Sequence, residues 1–344
     1  MLITISMVTF SEAISMRAHP FPYPAIGLLA LAVAGLVQAQ PVPPVKTQVP
    51  GYFRLAVGDY EVTALFDGYN DLSPDLLQGL DKARIRELLA RQSMGGQGMR
   101  THFNAFVVNT GTHLVLVDTG AGQCIGETAG SLVSNLKAAG YEPAQVDTIL
   151  LTHLHLDHVC GLVDKEGAAV FAQATVHVEQ AEADYWLSPA VMAKAPAAAQ
   201  EYFKVAQRSV APYKAAGRLQ TFTPPANPVP EVQARLEAGH TPGSTTYRFT
   251  SGGQSIVFIG DLVHSLAVQF EHPEAGIRFD VSGPEAIKAR NAVFGQLADE
   301  HVWVAAAHLP FPGTGHITRA GKVFHWAPVL YGPYQPAAKV PLLK

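Results

Sequence analysis

Short apolar runs separated by polar turns recur along the chain, and they predict strands that alternate with helices. The strand-like runs cover residues 60–66, 103–109, 113–117, 146–151, 174–178, 235–238, 245–250, 255–259 and 302–306. Apolar residues at helical spacing predict helices over residues 130–139 and 179–187, and the Ala- and Pro-rich residues 188–199 indicate a loose helix or lid. Strands early and late in the chain, with helices between them, predict a layered α/β domain.

An apolar run near the N-terminus has a different character. Residues 25–37 read AIGLLALAVAGLV, which is shorter than the roughly 20 residues of a membrane-spanning helix. Arg17 precedes the run, and it ends at Val37-Gln38-Ala39, where small residues flank a plausible cleavage point; this is typical of a secretory signal peptide, with Met16 as an alternative start. An uncleaved anchor or a buried N-terminal helix is the other interpretation. The pattern favours a periplasmic or secreted protein with no stable membrane insertion.

These segments define the expected domain division. We expect a signal peptide over residues 1–39, a Pro-rich linker over residues 40–50 and one large domain over residues 51–344.

Composition narrows the class of protein. Of the 344 residues, 48% are hydrophobic and 15% are charged, which is typical of a compact enzyme. The formal net charge of −4 gives no general attraction to phosphate backbones, so we expect no nucleic-acid partner. Cys124 and Cys160 are too few for a disulfide framework. They could pair in an oxidising compartment, but two small packed thiols are the favoured interpretation.

Four of the predicted strands are followed by side chains that bind metal ions. Functional residues collect in loops at strand ends, because a rigid strand fixes the origin of its loop. The candidate ligands are, in chain order, His153, His155, Asp157 and His158 after the first of these strands, and then His240, Asp261 and His308 after the other three. Imidazole nitrogens and carboxylate oxygens suit zinc or a similar divalent ion.

This ligand set is too large for one tetrahedral site, and it fits two adjacent ions that share a carboxylate and a hydroxide. His153 and His155, two positions apart, can turn onto one ion, and the pair Asp157-His158 can reach a second. We therefore expect two divalent metal ions as the cofactor, with zinc as the first choice. Such a pair can activate water and polarise a carbonyl or phosphoryl oxygen together.

The chain resembles the metallo-β-lactamase superfamily in the motif His153-x-His155-x-Asp157-His158 with His240, Asp261 and His308. The resemblance covers residues 51–344 and implies an αβ/βα four-layer sandwich. It implies that His153, His155 and His240 hold one ion, that Asp157, His158 and His308 hold the other, and that Asp261 bridges them. Asp118 lies in a motif that resembles the family's strand-end Asp-Thr-Gly, where the aspartate supports the ligands without binding metal.

Further stretches resemble one branch of that superfamily, the methyl parathion hydrolases. The stretches are GYFR at residues 51–54, VDTG at 117–120, ADYWLS at 183–188, GHTPG at 239–243, AVQF at 267–270 and AAHLPFPG at 306–313. The branch includes exported organophosphate hydrolases and relatives that act on lactones and aryl esters.

The same resemblance implies a substrate pocket. Trp186 and Tyr202 would form an aromatic wall at its mouth with Ile125 beside them, and His264, Ile277 and Phe279 would line it near the metals. The last three positions depart from the phosphotriesterase pattern, which is smaller or more aliphatic there. The departure favours a flat ester or lactone over an organophosphate.

These inferences predict a dinuclear-metal hydrolase that cleaves a small-molecule lactone or aryl ester with a metal-bridging hydroxide. Asp261 and Asp157 are the candidate catalytic carboxylates, and Asp261 is expected to pass the proton to the leaving alkoxide. Organophosphate triester hydrolysis is the alternative, and a homodimer is left open.

Other functions fit the residues less well. The family's true β-lactamases typically lack a bridging aspartate, whereas Asp261 is present here. Thioester hydrolysis of the glyoxalase type is disfavoured by the export signal and by the lack of a basic C-terminal clamp for glutathione. Iron-dependent redox relatives leave the identity of the metal open. A non-catalytic metal-binding protein would need closed coordination, whereas the grouped aromatic residues favour a substrate pocket.

Overall fold

The computed structural model describes residues 42–94 and 98–334. The chain divides into two units, residues 1–48 and residues 49–344. In the first unit, residues 42–48 are exposed and form no regular secondary structure, and the signal peptide expected over residues 1–39 lies outside the described residues. The helices and strands reported below all belong to the second unit.

The strands of the described residues form two large sheets and one small one. The strands are β1 (Tyr52–Val57), β2 (Tyr60–Leu72), β3 (Leu77–Gln78), β4 (Met99–Asn109), β5 (Leu114–Val117), β6 (Thr148–Leu150), β7 (Thr175–Glu179), β8 (Leu219–Phe222), β9 (Val232–Leu236), β10 (Thr245–Ser251), β11 (Gln254–Phe258), β12 (Gly276–Ile277), β13 (Trp303–Ala305), β14 (Thr314–Ala320) and β15 (Val323–Pro328). The first sheet has the order β1-β2-β4-β5-β6-β7-β8, the second has the order β15-β14-β13-β11-β10-β9, and β12 pairs with β3.

Most of the α-helices connect strands of the first sheet along the chain, and the last two lie between β11 and β13 of the second sheet. They are α1 (Lys82–Arg91), α2 (Leu132–Ala138), α3 (Leu156–Val159), α4 (Gln180–Trp186), α5 (Pro189–Lys194), α6 (Ala197–Ala215), α7 (Leu266–Gln269) and α8 (Gly283–Glu300). Within the described ranges, none of the helices is both long and apolar enough to cross a bilayer.

Side chains alternate between two apolar layers along the central strands. In β5, Leu114 and Leu116 pack in the layer that also holds the helices of the first sheet, while Val115 and Val117 face the second sheet. Successive side chains of a strand point to opposite faces, so a strand that is covered on both faces is apolar throughout. This explains why the run at residues 113–117 has no polar alternation.

Three apolar layers separate four layers of secondary structure. The outer face of the first sheet packs against helices through residues such as Leu136 and Phe203. The space between the sheets is filled from both sides, for example by Phe106 and Phe258. The outer face of the second sheet packs against α8 through Phe294. The order helix, sheet, sheet, helix confirms the predicted αβ/βα sandwich.

Most of the predicted strands and helices are confirmed, with boundary shifts. The strand expected over residues 235–238 begins earlier, as β9, and residues 188–199 form α5 and the start of α6. No element is predicted from the sequence over most of α6 or over α8, although these are the longest helices of the described residues. Both are rich in alanine and polar residues, so their apolar faces give a weak periodic signal.

Candidate metal centre

The loop after β6 carries the first group of candidate ligands, and Asp118 at the end of β5 fixes its start. The carboxylate of Asp118 accepts hydrogen bonds from the backbone N and the hydroxyl of Thr152, both at 2.8 Å. The same carboxylate lies 2.9 Å from Nδ1 of His158. Asp118 therefore supports the ligand loop at both ends, as its motif implied.

Strands of the second sheet deliver the remaining candidates to the same edge. His240 lies between β9 and β10, and His308 follows β13. Asp261 lies in a 3-10 turn directly after β11. Gly260 allows this turn, because its φ is 49° and a Cβ there would lie 2.9 Å from the Cβ of Thr152.

The candidate ligands form two groups that share one carboxylate. The groups are His153, His155, His240 and Asp261, and Asp157, His158, His308 and Asp261, with the ligand atoms of each group within 4.8 Å of one another. The division matches the one that the resemblance implied, and Asp261 belongs to both groups.

Short distances surround the shared carboxylate. Oδ2 of Asp261 lies 2.9 Å from Nε2 of His308, 3.2 Å from Nε2 of His240 and 3.6 Å from Nε2 of His153. Oδ1 lies 3.0 Å from Nε2 of His158. The two oxygens thus face nitrogens from both groups.

Four of the imidazoles are oriented by a partner on the ring nitrogen that faces away from the cluster. Nδ1 of His153 contacts the Thr152 hydroxyl, Nδ1 of His158 contacts Asp118, Nδ1 of His240 contacts Asp280, and Nδ1 of His308 contacts the His102 carbonyl, at distances of 2.8 to 3.1 Å. His155 is turned the other way, with Nδ1 at 2.9 Å from Nε2 of His240. Partners of this kind fix the ring orientation of metal-binding histidines.

Several polar atoms inside the cluster have no hydrogen-bond partner. Three such atoms are buried without a hydrogen-bond partner, namely Nε2 of His153, Nε2 of His158 and Oδ1 of Asp261. An unsatisfied buried polar atom costs about 1–3 kcal/mol, so three together indicate that another group belongs among them. Divalent metal ions fit, because nitrogens and carboxylate oxygens are the atoms that they bind.

Electrostatics favour the protonation states that ligation needs at three of these side chains. Burial lowers the pKa of His153 and of His155 well below the usual range, which favours the neutral imidazole. Burial alone would raise the pKa of Asp261, but the surrounding histidines, led by His158, hold it well below the usual range. The carboxylate therefore stays ionised.

The cluster opens onto a cavity of about 800 Å³. Five of the predicted pocket residues line it, namely Ile125, Trp186, Tyr202, His264 and Phe279, together with the candidate ligands His155, Asp157, Asp261 and His308. The ring of His155 lies 5.1 Å from the ring of Trp186 and 5.9 Å from that of Tyr202. An aromatic wall therefore stands directly beside the candidate metal centre.

The prediction that Ile277 lines the pocket is wrong. Ile277 is 1% exposed and belongs to an apolar cluster with Leu77 and Ile85. β12 pairs with β3 through Ile277 and Leu77, and the side chain of Ile277 packs in that cluster, whereas Phe279 lies past the strand and reaches the cavity.

His264 contacts the shared carboxylate and also lines the cavity. Its Nε2 lies 3.1 Å from Oδ2 of Asp261, and its ring stacks on that of His308 with centroids 4.8 Å apart. Burial lowers the pKa of His264 to about 4, so the ring is neutral. His264 is therefore placed both to support the Asp261 loop and to contact a substrate in the cavity.

Three residues that the sequence did not single out hold the loops of the site. Asp280 bonds His240, and the buried carboxylate of Glu182 accepts hydrogen bonds from the backbone N of Leu154 and of Gly243. Arg290 is 1% exposed and donates to backbone carbonyls on either side of the His264 segment, those of Leu262, Pro273 and Ala275. These contacts join residues that are far apart in the chain, so no local sequence pattern predicts them.

The expectation of two free thiols is wrong as well. Cys124 and Cys160 form a disulfide, with Cα atoms 6.2 Å apart. The folded chain brings together two loops that are 36 residues apart, and no local sequence pattern predicts their contact. Cys124 also lines the cavity, beside Ile125.

The family model of the metallo-beta-lactamase superfamily matches residues 101–308. The chain therefore belongs to the metallo-β-lactamase superfamily. It is a metal-dependent hydrolase of that superfamily, in agreement with the solved structures that it resembles. No curated protein matches the chain.

Solved structures of the superfamily share the fold. One, described as hydrolase AbOPH in the beta lactamase superfamily, is 42% identical with a TM-score of 0.80, covering 83% of this chain and 100% of that one. AidC, described as a dizinc quorum-quenching lactonase with the product N-hexanoyl-L-homoserine, is 26% identical with a TM-score of 0.75, covering 82% and 98%. A probable metal-dependent hydrolase from Staphylococcus aureus, 20% identical with a TM-score of 0.62 and covering 74% and 91%, shows the fold alone.

Proposed function

We propose that this protein hydrolyses lactones or aryl esters at a centre of two divalent metal ions, with zinc as the first choice. The observation that carries the proposal is that two candidate ligand groups share Asp261 and open onto one aromatic-walled cavity. The likeness to AidC supports it, because that relative is described as a dizinc lactonase.

The bound ions and the two candidate catalytic carboxylates would have different roles in the reaction. Bound divalent ions would activate water and polarise the carbonyl of the substrate. Asp261, which both ligand groups share, is the carboxylate that we expect to pass a proton to the leaving alkoxide. Asp157 belongs to the second ligand group. Its side chain is 18% exposed and lines the cavity. The phenoxide that leaves an aryl ester needs little of this help.

The cavity walls favour planar substrates. Trp186, Tyr202 and Phe279 present aromatic surface around the opening to the ligands. Flat rings pack well against such surfaces, whereas the tetrahedral phosphorus of a phosphotriester carries substituents in three directions. His264 adds a polar group beside the cluster, which suits an ester carbonyl better than the apolar substituents of a phosphate.

A substrate panel tests the proposal. We expect kcat/KM of the zinc-loaded protein for an aryl ester or aromatic lactone to exceed that for methyl parathion by at least ~10-fold, which corresponds to about 1.4 kcal/mol. His264→Leu should narrow this ratio, because it removes the polar group that the phosphotriester leaves unpaired. Ile277→Val is the matched control, since Ile277 does not line the cavity, and it should leave the ratio unchanged. Equal or greater efficiency on methyl parathion would replace the proposal with organophosphate triester hydrolysis.

We also propose that the protein is exported. The apolar run at residues 25–37 has the length of a signal-peptide core. The disulfide between Cys124 and Cys160 supports this proposal, because disulfides persist in the periplasm and outside the cell and are rare in the cytosol.

A further inference from the structure

The disulfide connects the wall of the cavity to the loop of candidate metal ligands. Cys124 lies in the loop between β5 and α2 and lines the cavity next to Ile125. Cys160 follows His158 by two positions and ends the short helix of the ligand loop. The bridge therefore joins a surface that substrate would touch to the segment that carries the ligands.

The Cys160 end of the bridge is anchored by other contacts. Cys160 is 3% exposed. The carbonyl of His158 accepts hydrogen bonds from both the backbone N and the hydroxyl of Thr119, each at 2.8 Å, and Asp118 holds the His158 ring. The ligand loop is thus fixed whether or not the bridge is intact.

The Cys124 end has fewer supports. The carboxylate of Asp67 holds the two ends of the segment, by accepting hydrogen bonds from the backbone N of Ala121 at 2.8 Å and of Leu132 at 2.9 Å. Between these points, the carbonyl of Thr128 accepts a hydrogen bond of 3.0 Å from the backbone N of Tyr69, whereas the backbone hydrogen bonds of residues 122–127 are local, such as that from Cys124 to Ala121.

The polar and covalent ties from residues 122–127 to the rest of the fold concentrate at Cys124. They are the disulfide itself and a contact of 3.4 Å from Nη2 of Arg208 to Sγ. Gly126 and Glu127 beside it are exposed. The position of Ile125 therefore depends mainly on the bridge at the adjacent residue.

Building on the proposed function, we propose that the Cys124–Cys160 disulfide positions Ile125 against the substrate. With the bridge closed, the wall is in place and a bulky aryl or acyl group packs against it. With the bridge open, the segment 122–127 moves more freely and substrate binds less tightly, while the metal ligands keep their places. Cys124 is in this sense a positioning residue, whose effect falls on KM rather than on kcat.

Reversible reduction of the metal-loaded protein tests the inference. Tris(2-carboxyethyl)phosphine breaks the S–S bond, yields two thiols and is itself oxidised to the phosphine oxide with oxygen from water, and it is removed before assay. We expect KM for a naphthyl ester to rise at least ~3-fold, kcat to stay within ~2-fold and KM for the smaller phenyl acetate to change less. Amide hydrogen exchange should accelerate at residues 122–127 and not at residues 153–158, the metal content should be unchanged, and reoxidation should restore KM.

Two variants make the test specific. The double variant C124S/C160S should show the kinetics of the reduced protein and should not respond to the phosphine. Ile125→Ala should raise KM with the bridge intact, and reduction should then add little, since both changes remove the same contact.

Unchanged KM and unchanged exchange at residues 122–127 on reduction would overturn the inference. Loss of metal together with a fall in kcat would also overturn it, because the bridge would then support the ligand loop. If no ester or lactone is hydrolysed by the oxidised protein, the proposed function fails, and the exchange measurement still decides whether the bridge holds the wall.

Discussion

At the scale of single residues, the candidate centre depends on the ring nitrogens that face away from it. Oδ1 of Asp280 lies 2.9 Å from Nδ1 of His240, and both side chains are buried. Burial alone would raise the pKa of Asp280, but the hydrogen bond with His240 holds it below the usual range. The ionised carboxylate holds the proton of His240 on Nδ1, so Nε2, which faces the other candidate ligands, is the nitrogen that would bind metal.

Asp280→Asn should therefore weaken metal binding without removing a ligand. We expect the affinity for zinc to fall by about 10- to 100-fold, the usual effect of removing such a partner, as measured by competition with a chromogenic chelator. The matched control is Glu274→Gln, which alters an exposed carboxylate at 3.0 Å from Nδ1 of His272 away from the ligands. Equal zinc affinity in Asp280→Asn and the control would contradict the role given to Asp280.

At the scale of elements, helix α4 joins loops from the two sheets. Its Glu182 is fully buried and accepts hydrogen bonds at 2.8 Å from the backbone N of Leu154, between two candidate ligands, and of Gly243, after His240. One side chain thus fixes the spacing between the ligand loop of the first sheet and that of the second. Burial raises the pKa of Glu182 to about 7.

This pKa predicts a pH-dependent effect of Glu182→Gln. The pKa of Glu182 in the folded protein lies above the ordinary value of 4.5, so the protonated carboxyl stabilises the folded state. This stabilisation is fully present below about pH 4.5 and is lost as the pH rises through 7. Glutamine does not titrate, so the destabilisation by the variant should be larger at about pH 5.5 than at about pH 8, by about 1–2 kcal/mol.

Denaturant unfolding of the wild type and the variant at both pH values measures this difference. Asp184→Asn, which changes an exposed carboxylate on the same helix, should show no such trend. A destabilisation that is equal at both pH values, or larger at pH 8, would contradict the account of Glu182.

At the scale of the whole molecule, the sequence predicts what is local and misses what the fold brings together. The layered fold and the candidate ligands follow from strand runs and from residues such as His153 and Asp157 that directly follow them. The side chain of Ile277 packs in an apolar cluster, away from the cavity, because β12 pairs with β3 through Ile277 and Leu77. The disulfide between Cys124 and Cys160 depends on how two loops pack together. Neither has a signal in the periodicity of its own segment.

Export is a further prediction at this scale. The mature protein should begin near Gln40, because the residues that precede it end the signal-peptide pattern at Ala39. Mass spectrometry of the protein from its native source measures the N-terminus, and a thiol assay under denaturing conditions should find no free cysteine. An intact N-terminus at Met1 or Met16 would refute cleavage.

The number of metal ions in the active protein tests the central claim most directly. Two ligand groups that share Asp261 predict two divalent ions per chain, and Asp261→Ala should lose at least one of them together with nearly all hydrolysis. Elemental analysis of a dialysed, active preparation, with protein concentration from amino-acid analysis, gives this number. Two ions per chain is the predicted result, and full activity with one ion or none would contradict the account.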